Sequence, residues 1–149
     1  MAKLVRAVQP YCAENIVAAM PCSRADTDSG GSNLFRLRSK DLASGMQPSG
    51  ISGRLPERVF LALGSRWIYA FNYAPQLVGF KIKERVACWP RDEVSALAEY
   101  TSTMVYFVMR TRSGESHALE VSAMSAPVGR PAVEFLHILG AVDYRSTLK

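Results

Sequence analysis

The sequence predicts a mainly β fold of the α+β class, in which about seven antiparallel strands follow a short N-terminal helix and are capped by a C-terminal helix. Three observations lead to this expectation. Strand-like runs follow one another closely between residues 58 and 122, glycine-containing pairs separate several of them, and an amphipathic run follows at 128–140. With 149 residues, 48% hydrophobic and 21% charged, the chain has the composition of a single globular domain over 1–149.

The first third of the chain predicts a helix, a strand and a long loop. Residues 3–14 place apolar side chains at helical spacing, and residues 15–24 form an apolar run typical of a strand. Between residues 24 and 57 serine, glycine and proline accumulate. We therefore expect a long flexible loop there, since such a stretch inside a compact domain is either a functional loop or disordered.

The chain from residue 58 onward predicts a succession of strands followed by a helix. Strand 58–64 is followed by a glycine-containing turn and by strand 66–73, which together predict a hairpin. Four further strands are expected over 79–88, 92–100, 103–112 and 115–122. The helix at 128–140 has Pro131 in its first turn and Gly140 at its stop, positions that suit these residues.

Several short phrases within this pattern resemble those of a group of bacterial pleckstrin-homology (PH)-like or GRAM-like domains. They lie at 59–71, 88–94, 113–121 and 134–136. The resemblance covers residues 15–140 as a pattern of elements, and it implies a split barrel capped by the C-terminal helix. Domains of this kind mostly bind phosphoinositides, peptides or other proteins, so the resemblance implies a non-catalytic binding or scaffolding domain.

The resemblance also implies a ligand site in the loop that joins the first two strands. In family members that bind phosphoinositides, lysine and arginine side chains of this loop hold the head group. Here the segment carries Arg24, Arg36, Arg38 and Lys40, and Arg24 stands where the family pattern has lysine at a shorter spacing. The alternative interpretation is a solvated basic loop without a ligand.

A second basic candidate comes from strand alternation. Regular alternation places Lys81, Lys83 and Arg85 on one face of a strand, spaced by ~6.6 Å, which suits a row of phosphates. The alternative is an exposed strand whose charges discourage pairing with another edge. Aromatic residues do not interleave with the basic runs, so nucleic acid is disfavoured as a partner.

Neither metal binding nor catalysis has support in the sequence. Cys12, Cys22 and Cys88 are too far apart for a metal motif and too few for a disulfide framework. No known catalytic motif occurs, and His117 with Glu115 is interpreted as a surface histidine beside a carboxylate. We therefore predict no cofactor, no metal, no catalytic residue and no enzymatic activity.

The leading functional prediction is a domain that binds another protein or a second copy of itself through its helix and exposed sheet edges. The alternative is peripheral binding to an anionic membrane or phospho-ligand through the basic loop, which the net charge of +5 and pI near 9.3 permit. A small uncharacterised enzyme is the third possibility. No run of apolar residues suits a signal peptide or a membrane span, which predicts a cytoplasmic protein, peripheral to the membrane in the alternative.

Overall fold

The structure is a computed structural model that describes residues 1–25, 55–123 and 129–144. An α-helix, α1 (Ala2–Val8), continues into a short 3-10 helix at Gln9–Tyr11, and a second 3-10 helix lies at Arg91–Glu93. The C-terminal helix, α2, spans Gly129–Leu139. The strands are β1 (Ile16–Arg24), β2 (Arg58–Gly64), β3 (Trp67–Pro75), β4 (Phe80–Pro90), β5 (Val94–Tyr100), β6 (Met104–Thr111), β7 (Ser116–Ser122) and β8 (Val142–Asp143).

These strands form one open sheet in the order β4-β3-β2-β1-β7-β6-β5-β8. Every neighbouring pair is antiparallel except β5 and the two-residue strand β8. The mainly β class with two helices is thus confirmed. The sheet is not closed, because β4 lies at one edge and β8 at the other, so the barrel that the family resemblance implies remains a prediction.

The sheet encloses its main core on one face. This cluster takes side chains from all seven long strands and from α2, and its fully buried members include Leu61, Phe107 and Phe135. Helix α2 contributes Ala132, Phe135 and Leu136 and covers β1 and β5 to β7. The helix ends where the N–H groups of Gly140 and Ala141 both donate to the Leu136 carbonyl.

Helix α1 covers the opposite face of the β1–β4 half of the sheet. Its Leu4 and Val8 are buried against Phe60, Tyr69 and Phe71. The regular α-helix ends at Val8 rather than continuing to residue 14, because Pro10 offers no backbone N–H for a further α-helical turn. Strands β1 and β2 are therefore buried on both faces over most of their length, whereas the edge strand β4 leaves many of its side chains exposed.

Candidate functional site

The tip of the β3–β4 hairpin exposes two aliphatic side chains. The turn is closed by a hydrogen bond from the Gln76 N–H to the Gly79 carbonyl oxygen at 3.1 Å, and Gly79 adopts a φ of 81°, which favours glycine. Between them Leu77 and Val78 have relative exposures of 107% and 90%, by far the largest of any large apolar residue in the described ranges. Turns usually carry polar residues, so this apolar tip calls for a functional explanation.

Half-buried aromatic rings lie directly behind this tip. Phe80 and Tyr73 pack edge to face with ring centroids 5.7 Å apart, and both contact the buried ring of Phe60, at 5.5 and 5.7 Å. These contacts anchor the hairpin to the cluster beneath α1. Moving away from the tip, the hairpin therefore presents aliphatic residues first. Aromatic rings and the first cation follow together, since Lys81 pairs with Ala74 and so lies between the levels of Phe80 and Tyr73.

The three cations predicted on β4 are all exposed, but they do not form a ladder on one face. Lys81 pairs with Ala74, whereas Arg85 pairs with Phe71, and these two β3 residues point to opposite faces. The register shifts twice along the hairpin, and each shift inserts one extra residue into β4. The expectation of a single-faced row of Lys81, Lys83 and Arg85 is therefore wrong, because a bulge reverses the alternation that follows it.

No hydrogen bond or ion pair engages the side chains of Lys81, Lys83 or Arg85 within the described residues. Glu84 lies among them, and its Oε1 accepts a hydrogen bond of 3.0 Å from the Asn72 amide. This hydrogen bond lowers the pKa of Glu84 from its ordinary value. The strand therefore carries three available cations and one carboxylate whose ionised form is favoured by its hydrogen bond.

Further basic residues lie at the same end of the sheet as the hairpin tip. Ser23 pairs with Arg58, and the next residue of β2, Val59, pairs with Asn72, so the end of β1 and the start of β2 lie beside the distal half of β3. Arg24 and Arg58 are both exposed. The Arg24 guanidinium donates to the Leu55 carbonyl oxygen at 3.0 Å.

The remaining residues of the predicted loop site, Arg36, Arg38 and Lys40, lie outside the described residues. The residues that flank this segment, Ala25 and Leu55, belong to the tip end of the sheet, since Ala25 follows β1 and Leu55 precedes β2. Both flanking side chains are buried. The structure thus places Arg24, Lys81 and Lys83 at one end of the sheet and leaves the loop cations as a prediction.

The opposite end of the sheet holds a shallow groove of about 600 Å³. Its lining residues are Ser65, Arg66, Trp67, Arg91, Asp92 and Leu139. The Arg91 guanidinium donates to the carbonyl oxygens of Gly64 at 2.9 Å and Ile138 at 3.0 Å, and so ties the end of β2 to the end of α2. Because its hydrogen bonds are already directed to backbone oxygens, Arg91 acts as a structural link in this groove.

His117 is buried rather than exposed, which corrects the interpretation of a surface histidine. Its Nε2 lies 3.1 Å from Glu115 Oε2, and the same oxygen accepts a hydrogen bond of 3.1 Å from Trp89 Nε1. The Trp89 ring covers the imidazole with centroids 5.3 Å apart. Burial lowers the pKa of His117 from its ordinary value, although Glu115 opposes this shift. The arrangement connects β4 to the β6–β7 hairpin across the core.

The cysteines are free thiols with raised pKa values. Burial raises the pKa of Cys12 to about 11 and also raises the pKa of Cys22 and of Cys88. Their thiolate populations at neutral pH are therefore small, and with them their reactivity. Across 1–25, 55–123 and 129–144, no group of three potential metal ligands comes together.

No protein-family model, curated protein or solved structure matches the chain. The resemblance to PH-like domains consequently remains a prediction. None of the helices in the described residues has the length and apolarity needed to cross a bilayer.

Proposed function

We propose that this protein is a non-catalytic domain that attaches peripherally to anionic membranes through the tip of its β3–β4 hairpin. The observation that carries the proposal is the almost complete exposure of Leu77 and Val78 directly before a cationic strand. A lipid interface has an apolar interior, a boundary enriched in aromatic rings and a charged surface. The hairpin has its aliphatic residues outermost, at the tip, and its aromatic rings and cations directly behind them.

The dimensions of the hairpin suit tip-first insertion. Interfacial elements bury their apolar side about 5–10 Å into the boundary between head groups and acyl chains. At ~3.3 Å per paired residue, Lys81 lies ~7 Å beyond Gly79 and Lys83 ~13 Å. Arg85 pairs with Phe71 and lies ~17 Å beyond Gly79, because the bulge between Ile82 and Arg85 adds a residue without adding length. Insertion of the tip therefore brings Lys81 and Lys83 to the head groups and leaves Arg85 above them.

Neither burial of the apolar tip nor the charge of the lysines is sufficient alone for stable attachment to a membrane. Burying a leucine and a valine side chain fully contributes about 1.5–3 kcal/mol each, and each lysine near an anionic surface contributes about 1 kcal/mol. Stable peripheral anchoring generally requires two such signals together. Arg24 and Arg58, which lie at the same end of the sheet as the hairpin tip, add to the electrostatic attraction.

The sheet edges give less support to the leading prediction from sequence, a protein partner. Edge strand β4 has two bulges and three exposed cations, and edge strand β8 has only two residues. Natural sheets use these features to prevent another strand from pairing with an edge. Binding of another protein, or of a second copy, remains a prediction without a specific surface to support it.

Catalysis is not part of the proposal. A histidine and a carboxylate do converge, at His117 and Glu115, but the His117 side chain is only 5% exposed beneath Trp89. A substrate would have to displace the tryptophan to reach the imidazole. We therefore assign the pair a role in holding β4 against the β6–β7 hairpin.

Vesicle co-sedimentation tests the proposal. The wild-type protein is expected to bind vesicles of one part phosphatidylserine to two parts phosphatidylcholine, and to bind more weakly as salt increases. From the energies above, Leu77→Ser with Val78→Ser should weaken partitioning at least about a hundredfold, and Lys81→Gln with Lys83→Gln about thirtyfold. A separate pair, Arg36→Gln with Arg38→Gln, tests the predicted loop site.

Two control variants match these changes at a distance from the tip. Val133→Ser removes a half-exposed valine of α2, and Arg66→Gln with Arg112→Gln removes two exposed cations at the opposite end of the sheet. Both should leave partitioning within about threefold of wild type. Absence of binding to the anionic vesicles, or equal losses in tip and control variants, would refute the proposal.

A further inference from the structure

The bulges in β4 place the cations of the hairpin on both faces of the sheet rather than on one. Lys81 and Arg85 point to opposite faces of the sheet and lie ~10 Å apart along the strand direction, since their partners Ala74 and Phe71 are three residues apart on β3. Tight recognition of a single phosphorylated head group requires several donors that converge on the same oxygens. These two side chains cannot converge in this way, because the body of the hairpin lies between them.

A carboxylate also lies on the strand among these cations. Glu84 lies next to Lys83 and Arg85 in the chain, and its hydrogen bond from Asn72 joins β3 to β4 across the second bulge. The carboxylate is thereby held in place and ionised. A multiply charged phosphate would meet like-charge repulsion there, whereas a diffuse layer of single charges is attracted by the net positive charge of the hairpin.

From this arrangement we infer that the hairpin responds to the surface charge density of a membrane and does not distinguish the head groups that supply the charge. The inference rests on the proposed function, since it concerns the same tip. Its ligand class is any anionic lipid surface, whatever head group supplies the charge. At equal surface charge, phosphatidylserine, phosphatidylglycerol and a phosphoinositide should support the same binding.

The experiment compares three vesicle preparations in a phosphatidylcholine background. They contain phosphatidylserine, phosphatidylglycerol or phosphatidylinositol bisphosphate, in amounts adjusted to give the same measured zeta potential. Partition coefficients for the full chain should agree within about threefold, and soluble inositol hexakisphosphate should compete only as far as its ionic strength accounts for. A preference above about tenfold for one lipid at matched charge would overturn the inference while leaving membrane attachment intact.

Glu84→Gln supplies an independent arm of the same experiment. Removing this exposed negative charge should raise partitioning about fivefold, and should do so equally for all three lipids. An increase confined to the phosphoinositide vesicles would show a specific phosphate site and overturn the inference. Failure to bind any of the three preparations would instead refute the proposed function itself.

Discussion

Gly64→Ala is expected to destabilise the protein through a single side chain, that of Glu14. Gly64 ends β2, and the three atoms nearest to a Cβ built there all belong to Glu14, whose Oε1 the new methyl group would overlap. That oxygen accepts hydrogen bonds from the N–H groups of Arg66 at 3.0 Å and Trp67 at 3.3 Å. These two residues lie where the chain turns from β2 into β3. An alanine at position 64 must displace the carboxylate from both.

The magnitude follows from these two hydrogen bonds. A hydrogen bond to a charged group contributes about 1.5–3 kcal/mol, and the lower part of that range applies here because water can replace the acceptor. We expect Gly64→Ala to lower the free energy of unfolding by about 1–3 kcal/mol. For a domain of this size, that corresponds to a fall in Tm of roughly 2–10 °C.

A double-mutant cycle isolates the cause. Glu14→Ala removes the same two hydrogen bonds, so in that background Gly64→Ala should no longer lower the free energy of unfolding. It could raise that free energy by up to about 1 kcal/mol, because alanine restricts the unfolded chain more than glycine does. Urea denaturation of the four proteins, with scanning calorimetry as a second probe, measures the coupling. If Gly64→Ala destabilises equally in both backgrounds, the close approach of Glu14 is not the reason for a glycine at this position.

Two further predictions concern the links between strands. Because burial lowers the pKa of His117 in the folded state, the unfolded chain binds the proton more readily, and the free energy of unfolding should fall as pH decreases below about 6.5. Urea denaturation between neutral and mildly acidic pH should show this decrease in the free energy of unfolding in the wild type and in the control His137→Gln. The decrease should be absent in His117→Gln, and an equal decrease in that variant would contradict the prediction. Arg91→Lys should cost about 1–3 kcal/mol, since an ammonium group cannot span the carbonyls of Gly64 and Ile138, whereas Arg66→Lys should change stability by under about 0.5 kcal/mol. Equal stabilities of the two lysine variants would argue against the link.

The strand pattern is the part of the fold that the sequence predicts well. Alternating apolar residues and glycine-containing turns depend on local chemistry, and each of the seven predicted strands coincides with an observed one to within about two residues at either end. Strand β8 has no comparable signal, because two residues are too few to establish a period. Its pairing with β5 depends on where α2 ends.

The faces of β4 and the burial of His117 are not local properties. A bulge adds one residue without any change in composition, so alternation alone assigned Arg85 to the wrong side of the hairpin. His117 is buried by Trp89, which is distant in sequence and close only in the folded sheet. The tip did have a local signal that sequence reasoning missed, namely two aliphatic residues inside a turn at Leu77 and Val78.

The pairing of β1 has a consequence for the order in which the chain assembles. Strands β2–β4 and β5–β7 are two meanders of short-range contacts, and β1 alone forms hydrogen bonds to both, through β2 and through the pairs Ser23 with Glu120 and Arg24 with Leu119. At 5–20 residues per second, a ribosome needs roughly 5–20 s to synthesise the residues between these partners. During that interval one side of the first strand made has no partner. Among the seven long strands, the joint between the two halves of the sheet is therefore the last backbone pairing that can form during synthesis, and only the two-residue strand β8 is added later.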